Sequence, residues 1–171
     1  MLRLTSLLLL LAAPAFAAEP ITGQPTVIDG DTIELQGRRI DLYGIDAPEA
    51  AQTCETGAGT SYRCGQAAAA ALRQQIGNHT VACEPQGPAT KDAARERLTA
   101  LCRAGNVDLS AWMAGHGHAL AVRQVAQGYV HQERRAWATR RGIWAGVFEE
   151  PADWRQAQRR AKALASAQTG E

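Results

Sequence analysis

The chain has 171 residues, with 18 Lys and Arg against 17 Asp and Glu and a formal net charge of +1. This balance argues modestly against a tight nucleic-acid binder, because any affinity for phosphate must come from a local site rather than from bulk charge. No apolar run reaches the roughly 20 residues that a membrane-spanning helix needs, and the length suits one domain.

The first 17 residues have the pattern of a secretory signal peptide. Arg3 gives a charged start, an apolar run is centred on Leu7–Leu11, and Ala15–Ala17 is a small-x-small cleavage site. A membrane anchor is the weaker alternative because the apolar run is short. Cleavage after Ala17 leaves about 154 residues with equal numbers of basic and acidic side chains. We therefore expect an exported protein, periplasmic or secreted.

Two runs of alternating apolar residues follow, in the stretch V-I-D-G-D-T-I-E-L-Q-G-R-R-I-D-L-Y-G-I-D-A-P-E. The first run predicts strands over 26–28 and 31–36, and the second predicts an adjacent strand over 38–45. Asp29 and Asp31 lie at the entrance to the first run, and Asp46 and Glu49 lie at the exit from the second. If the strands pair, these acids meet at one rim, where clustered carboxylates repel each other unless a cation binds. The stretch predicts a metal site beside a phosphate-binding face.

The later elements complete an α+β pattern. They are a helix over 65–76, strands over 80–84 and 98–102, a helix capped by Asp108, a strand over 118–122 and a helix over 126–141. Strands, a helix, more strands and then helices predict a five-stranded OB-type barrel with helices packed against it. We place this domain over 18–155, after the signal peptide at 1–17. The segment 156–171 has helical propensity without an apolar stripe, so we expect a helical or disordered tail.

Four cysteines in an exported chain indicate two disulfides. Cys54 and Cys64 close a short loop, and Cys83 and Cys102 lie in two runs that look like neighbouring strands. We favour these two pairings among the three that are possible. A zinc site is disfavoured because the closely spaced Cys-x(2–4)-Cys pattern is absent.

Four motifs occur in order between Val27 and Arg155: V-I-D-G-D-T, L-Y-G-I-D-A-P-E, Y-R-C-G and G-I-W-A-G-V-F-x-x-P-x-x-W-R. Together they resemble the staphylococcal nuclease-like (thermonuclease) family, in its bacterial exported branch. The resemblance implies an OB-fold barrel with about three helices and Ca²⁺-dependent hydrolysis of phosphodiester bonds in DNA and RNA. We accordingly expect Ca²⁺ as the cofactor, nucleic acid as the partner, no membrane association after signal cleavage, and a monomer.

The resemblance also implies a role for individual residues. Asp31 and Asp46 match the calcium-binding carboxylates, Ala47 the backbone carbonyl ligand, Asp29 a supporting acid, Glu49 the carboxylate that activates water, and Arg97 the second of two catalytic arginines. This chemistry is reasonable, because calcium takes many oxygen ligands in loose geometry and an arginine fork neutralises the charge that develops on phosphate.

The chain departs from the family pattern at both arginines. Asp41 stands five residues before Asp46, where the first catalytic arginine is expected, and Arg-Glu-Arg at 95–97 replaces the usual Tyr-Gly-Arg. Asp41 could pair with Arg97 and remove it from the substrate. Arg39 shares a strand face with Asp41 and is a possible substitute. The activity is therefore expected to be weakened, altered or lost. The alternatives are a degenerate OB-fold module that binds a phosphate-bearing ligand or a protein partner, and a metal-stabilised structural domain.

Several conspicuous residues also have ordinary explanations. The acids at 29, 31 and 46 could be turn residues, and Arg97 a strand-edge arginine. Helical spacing predicts core packing rather than base stacking for three tryptophans, Trp112, Trp137 and Trp144. We expect His116 and His118 to form a surface or half-buried pair, because no third metal ligand is near. We expect a solvated helix face for Arg134, Arg135, Arg140 and Arg141.

Overall fold

The computed structural model describes residues 19–92 and 95–168, so the predicted signal peptide lies outside the described residues. Within these ranges the strands are β1 (Ile21–Gly23), β2 (Thr26–Val27), β3 (Thr32–Leu35), β4 (Arg38–Leu42), β5 (Ile45–Asp46), β6 (Cys54–Glu55), β7 (Ser61–Tyr62), β8 (Val81–Pro85), β9 (Thr90–Asp92), β10 (Arg95–Ala104), β11 (Val107–Asp108) and β12 (Leu120–Ala121). The helices are α1 (Cys64–Ile76), α2 (Leu109–Gly115), α3 (Gln127–Ala138) and α4 (Pro151–Gln168), with a 3-10 turn at Gly142–Ala145. No helix in the described part of the chain is long and apolar enough to cross a membrane.

Strand β10 is the centre of the main sheet, whose order is β1-β8-β10-β4-β3-β2. It runs parallel to β4 and antiparallel to β8, and it also pairs with β9 and β11. The sheet curls so that β1 comes close to the end of β3, where Gln36 Nε2 donates to the Thr22 carbonyl at 3.0 Å. The predicted α+β class, helices against a small curled barrel of OB type, is confirmed. The described strands are shorter and more numerous than predicted, and α4 adds a fourth helix.

The main core lies between this sheet and the helices α1 and α2. Alternation along β3 and β4 directs four side chains inward, and none is more than 2% exposed: Ile33, Leu35, Ile40 and Leu42. Helix α1 contributes Leu72, which is fully buried. Because alternate strand residues point to opposite faces, Arg39 and Asp41 of β4 face away from this core. The same pattern that forms the core therefore presents these two charged residues on the other side.

Both predicted disulfides, Cys54–Cys64 and Cys83–Cys102, are present. Cys83 and Cys102 lie directly opposite each other on β8 and β10, so their bridge joins two neighbouring strands inside the core. The other bridge connects β6 to the first residue of α1 and belongs to a smaller apolar cluster with Ile143. The Cys83–Cys102 bridge thus fixes β10, which pairs with β4, and the Cys54–Cys64 bridge fixes the segment that follows Glu49.

The last predicted core helix ends earlier than expected, at Ala138 rather than at residue 141. The chain turns through Arg140, at φ 49°, and Gly142, at φ 56°. This turn brings the Ile143 N–H to the Gly117 carbonyl at 2.9 Å, and a Cβ on Gly142 would lie only 2.1 Å from that oxygen. The close approach of two backbones therefore ends the helix and requires glycine there.

Trp137 corrects the prediction that three tryptophans pack in the core. Trp112 and Trp144 are half-buried against the two apolar clusters, but Trp137 is 63% exposed. The prediction is wrong for Trp137 because α3 buries one side only, through Ala136 and Glu133.

The chain after residue 150 is helical as far as Gln168, and the last three residues lie outside the described part. Ala, Gln and Arg are good helix formers, which accounts for a helix without an apolar stripe. Pro151 is buried and Trp154 and Arg155 are half-buried, whereas residues 156–167 are exposed. Helix α4 therefore contacts the domain through its first turns.

The replacement of both Cys83 and Cys102 by alanine should lower the free energy of unfolding by about 2–4 kcal/mol, because the denatured chain is no longer cross-linked. Urea denaturation of the purified protein measures this difference. Reduction of the wild-type protein serves as a control and should shift the midpoint in the same direction. A midpoint that moves by less than the equivalent of about 0.5 kcal/mol would contradict this role for the bridge.

Candidate active site

The first two acids lie in a tight turn that leads into β3. The backbone N–H of Asp31 donates to Asp29 Oδ1 at 3.2 Å. Between them, Gly30 packs so closely that a Cβ there would lie 2.7 Å from the Cβ atoms of Ala47 and Ala68. Glycine is therefore needed at this position, because the turn packs directly against the second acidic segment and helix α1.

A backbone contact joins the two acidic segments. The Ala47 N–H donates to Asp31 Oδ2 at 2.7 Å. Asp46, the preceding residue, is placed by the ladder between β5 and β12, in which it pairs with Leu120. The acidic ends of the two predicted strands are thus adjacent in space.

Glu49 is placed by a side chain that the sequence did not single out. Its N–H donates to Gln52 Oε1 at 3.2 Å, and Gln52 Nε2 donates to the Glu149 carbonyl at 2.7 Å. Gln52 is fully buried. Gly65 also packs against this segment, so closely that an added Cβ would lie 1.7 Å from the backbone carbonyl oxygen of Glu49. Nothing in the sequence marks Gln52, because a glutamine in a polar loop is ordinarily exposed.

One cleft of about 630 Å³ brings the predicted site residues together. Its lining residues are Asp29, Asp31, Thr32, Arg39, Asp41, Ile45, Asp46, Glu49, Arg97, Val122 and Arg155. One concave surface thus carries the four predicted acids and Arg97. It also carries Asp41, where the family pattern has an arginine, and Arg39, the possible substitute. Ala47 lies beside it and contributes its N–H to Asp31.

Asp41 and Arg97 form a two-pronged ion pair on one wall of the cleft. Arg97 Nε lies 2.6 Å from Asp41 Oδ2, and Arg97 Nη2 lies 2.9 Å from Asp41 Oδ1. The parallel pairing of β10 with β4 brings them together. Arg97 lies opposite Arg39, two positions before Asp41 on the same strand face. The Thr32 hydroxyl also lies 3.1 Å from Asp41 Oδ1. Asp41 therefore orients the guanidinium of Arg97, as its position in the sequence suggested.

Arg39 lines the same cleft two residues before Asp41. Its Nε is buried and has no hydrogen-bond partner within the described residues. An unsatisfied charged donor is costly in a protein interior, so a ligand that accepts this hydrogen bond would be favoured.

Arg155 enters the cleft from α4, and the site predictions did not include it. Its Nη1 and Nη2 lie 2.8 and 2.9 Å from the two carboxylate oxygens of Asp46, and Nη1 also lies 2.8 Å from Glu49 Oε1. Hydrogen bonds to Asp46 and then Glu49 raise the pKa of Arg155. The residue closes the motif P-x-x-W-R that carried part of the resemblance, which was the signal available in the sequence.

The surroundings of Asp31 disfavour its ionised form. Burial raises its pKa well above the ordinary value, and the charges of Asp29 and Asp46 raise it further. The Ala47 N–H lowers the pKa but only partly offsets these effects. The ionised form of Asp31 is therefore short of positive charge in the folded protein.

The donor set suits a hard divalent cation, since Asp31, Asp46 and Glu49 offer oxygen atoms alone. Asp31 lacks counter-charge, and a guanidinium already lies on Asp46 and Glu49. Across residues 19–92 and 95–168, however, no three His, Cys, Asp or Glu side chains converge as a ready metal site. Both Asp46 oxygens are hydrogen-bonded by Arg155. The predicted acids share one cleft, and a cation that took an Asp46 oxygen would have to displace Arg155.

The histidines lie outside this cleft and stack on Trp112. The ring centroids of His116 and His118 are 4.2 and 5.7 Å from that of Trp112. Burial, with a smaller contribution from His116, lowers the pKa of His118. The half-buried pair expected from the sequence is present, and His116 Nδ1 also lies 2.8 Å from the Trp112 carbonyl oxygen. The arginines at 134, 135, 140 and 141 are exposed as predicted. The prediction of a helix face is wrong for Arg140 and Arg141, because α3 ends at Ala138.

Asp31→Asn should stabilise the protein at neutral pH when divalent cations are absent. Because the pKa of Asp31 lies above its ordinary 3.8 in the folded chain, its ionisation costs stability as the pH rises through the folded pKa. Asparagine keeps an acceptor for the Ala47 N–H but carries no charge.

Urea unfolding in chelator, at several values between about pH 3 and pH 8, measures the free-energy difference between variant and wild type. This difference should be small at the acid end and grow in favour of the variant as the pH rises. The exposed Glu55→Gln serves as the matched control. A difference that shrinks with rising pH would contradict the assignment.

Comparison with known proteins places the chain in a family. Residues 39–146 match the family model described as staphylococcal nuclease homologue. The chain is also 37% identical over 138 residues to the succinoglycan biosynthesis protein ExoI of Rhizobium meliloti (strain 1021), a match that covers 80% of this chain and 71% of ExoI. The family match includes Asp41, Asp46, Glu49 and Arg97, whereas Asp29, Asp31 and Arg155 lie outside its limits. The predicted family is confirmed: the chain belongs to the staphylococcal nuclease homologues.

Proposed function

We propose that this protein is an exported, calcium-dependent nuclease that hydrolyses phosphodiester bonds of DNA and RNA, with an activity weakened by Asp41. The observation that carries the proposal is that Asp31, Asp46, Glu49 and two arginines, Arg39 and Arg97, line a single cleft. Carboxylates beside guanidinium groups are the combination that phosphoryl transfer needs, because it depends on positioning and on charge stabilisation.

Each residue has a part in this proposal. Asp31, Asp46 and the Ala47 carbonyl would hold the calcium ion, with Asp29 in support, and the ion would supply charge stabilisation for a phosphoryl oxygen. Glu49 accepts a proton from the attacking water while the new P–O bond forms and the bond to the leaving oxygen breaks. Gln52 positions Glu49 through its backbone N–H.

Asp41 is the reason for a weakened activity. A missing donor to the transition state typically costs about 2.7–4 kcal/mol, or some 10²–10³ in rate. A carboxylate about 4 Å from a phosphate adds a repulsion of roughly 1–4 kcal/mol, depending on screening. Asp41 also engages Nε and Nη2 of Arg97, which are then not directed at a substrate.

Arg39 is the candidate that replaces the lost donor. It lies in the cleft, and its Nε needs an acceptor. A phosphate oxygen is such an acceptor, and an arginine fork suits it well.

A second candidate function is a catalytically degenerate module that binds a phosphate-bearing ligand or a protein partner. The Asp41–Arg97 pair favours it, since it neutralises the wall on which a catalytic arginine is expected. The relation to a protein named for succinoglycan biosynthesis is consistent with a function other than nucleic-acid degradation. Salt-dependent binding of nucleic acid without turnover would support this candidate.

Export to the periplasm or the medium, and a monomeric state, complete the proposal. Two disulfides are typical of proteins that fold in an oxidising compartment, and the first 17 residues have the composition of a signal peptide.

Asp41→Arg should increase Ca²⁺-dependent degradation of plasmid DNA and RNA by about 10²–10³, because it restores a donor and releases Arg97. Asp41→Asn should give a smaller increase, because it releases Arg97 without adding a donor. Initial rates measured with Ca²⁺ and with chelator separate the two effects. The impairment would be refuted if the wild type already matched a typical family enzyme and Asp41→Arg slowed it.

Arg39→Gln should lower the residual kcat/KM by one to two powers of ten, since a hydrogen bond from a charged group contributes about 1.5–3 kcal/mol. Arg38→Gln is the matched control, because Arg38 forms an exposed ion pair with Glu96 at 3.0 Å and such pairs contribute little. Equal rates for the two variants would exclude Arg39 as the substitute.

A further inference from the structure

The guanidinium of Arg155 lies between the carboxylates of Asp46 and Glu49 in the cleft. It spans both oxygens of Asp46 and one oxygen of Glu49, with all three separations between 2.8 and 2.9 Å. The side chains are 36%, 19% and 32% exposed for Arg155, Asp46 and Glu49, so the pair lies between an exposed and a buried one. Planar, bidentate contact of this kind is the strongest geometry available to an arginine and a carboxylate.

The same atoms are those that a divalent cation would need. A cation on Asp31 and Asp46 must take at least one Asp46 oxygen, and both are engaged by Arg155. A guanidinium and a divalent cation on one carboxylate would also repel each other in a cleft that is partly closed to water. Arg155 and the cation therefore exclude each other at Asp46.

Helix α4 contacts the domain through its N-terminal turns. Residues 156–167 of the helix are exposed, and only its first turns are buried or half-buried. The withdrawal of Arg155 thus requires movement of a helix attached at one end, without exposure of the main core.

We propose that Arg155 is an internal competitor of the divalent cation, and that cation binding and the docking of α4 are thermodynamically linked. The proposal rests on the proposed function in one respect, that Asp46 is a cation ligand. Linkage is reciprocal, so whatever draws α4 away from the domain raises the affinity for the cation, and the bound cation loosens α4 by the same factor.

Calcium titration of the full chain by isothermal calorimetry tests the competition. Arg155→Gln should bind Ca²⁺ about 5- to 150-fold more tightly than the wild type, the usual range for such coupling. Arg155→Lys keeps the charge but not the fork and should give an intermediate affinity. Arg159→Gln, one turn further along α4 and exposed, is the matched control and should resemble the wild type.

A second measurement serves if Arg155→Gln folds poorly because Asp46 and Glu49 lose their partner. In the wild type, Ca²⁺ should increase cleavage by an arginine-specific protease after Arg155, relative to cleavage after Arg159. The ratio of the two products corrects for any effect of Ca²⁺ on the protease.

Unchanged or weaker Ca²⁺ affinity in Arg155→Gln, or no binding by any of these proteins, would overturn the proposal. Hydrolysis assays on the same samples separate it from the proposed function. Tighter Ca²⁺ binding without turnover would retain the competition and reject the nuclease. Calcium-dependent turnover with unaltered affinity would do the reverse.

Discussion

Mutual repulsion of carboxylates in one cleft is the constraint on which the rest of this structure depends. The acids Asp29, Asp31, Asp46 and Glu49 line one cleft. They come from two chain segments that pack side by side, with Gly30 too close to Ala47 for any larger residue. Their charge is met in different ways: Arg155 neutralises Asp46 and Glu49, whereas Asp31 receives only hydrogen bonds and its pKa is raised. The neutralisation is therefore uneven: Asp46 and Glu49 share a cationic side chain, and Asp31 has none.

Beside Asp31, the cleft is lined by an ion pair between Asp41 and Arg97. Asp41 and Arg97 neutralise one another across two parallel strands, and Thr32 adds a hydroxyl contact to the pair. With Arg97 and Arg155 engaged by carboxylates, Arg39 is the cleft arginine whose Nε has no hydrogen-bond partner among the described residues. An anionic ligand that entered the cleft would therefore meet its unsatisfied donor on Arg39.

The fold could be predicted from the sequence where the determining signal is local. Alternation specifies β3 and β4, and four-residue spacing specifies α1. Cysteines in neighbouring strands give the Cys83–Cys102 bridge, and the short loop between Cys54 and Cys64 gives the other. The grouping of Asp31 with Asp46 follows from the same local patterns once the strands pair. The contact of Arg155 with Asp46 spans 109 residues and depends on where α4 begins, which no periodicity encodes. Gln52 was missed for a similar reason, since burial of a polar amide is decided by the partners that the tertiary fold supplies.

Glu49 is held by two contacts of different physical kinds. One is a hydrogen bond from its backbone to Gln52, and the other is the ion pair of its carboxylate with Arg155. The ion pair between Glu49 and Arg155 weakens as electrolyte is added, because mobile ions screen exposed and half-exposed charges. The amide of Gln52 is uncharged and fully buried, so neither electrolyte nor protons compete for its bonds to the Glu49 N–H and the Glu149 carbonyl. At high salt the Glu49 carboxylate would therefore lose its ion pair, while the Glu49 backbone would keep its position.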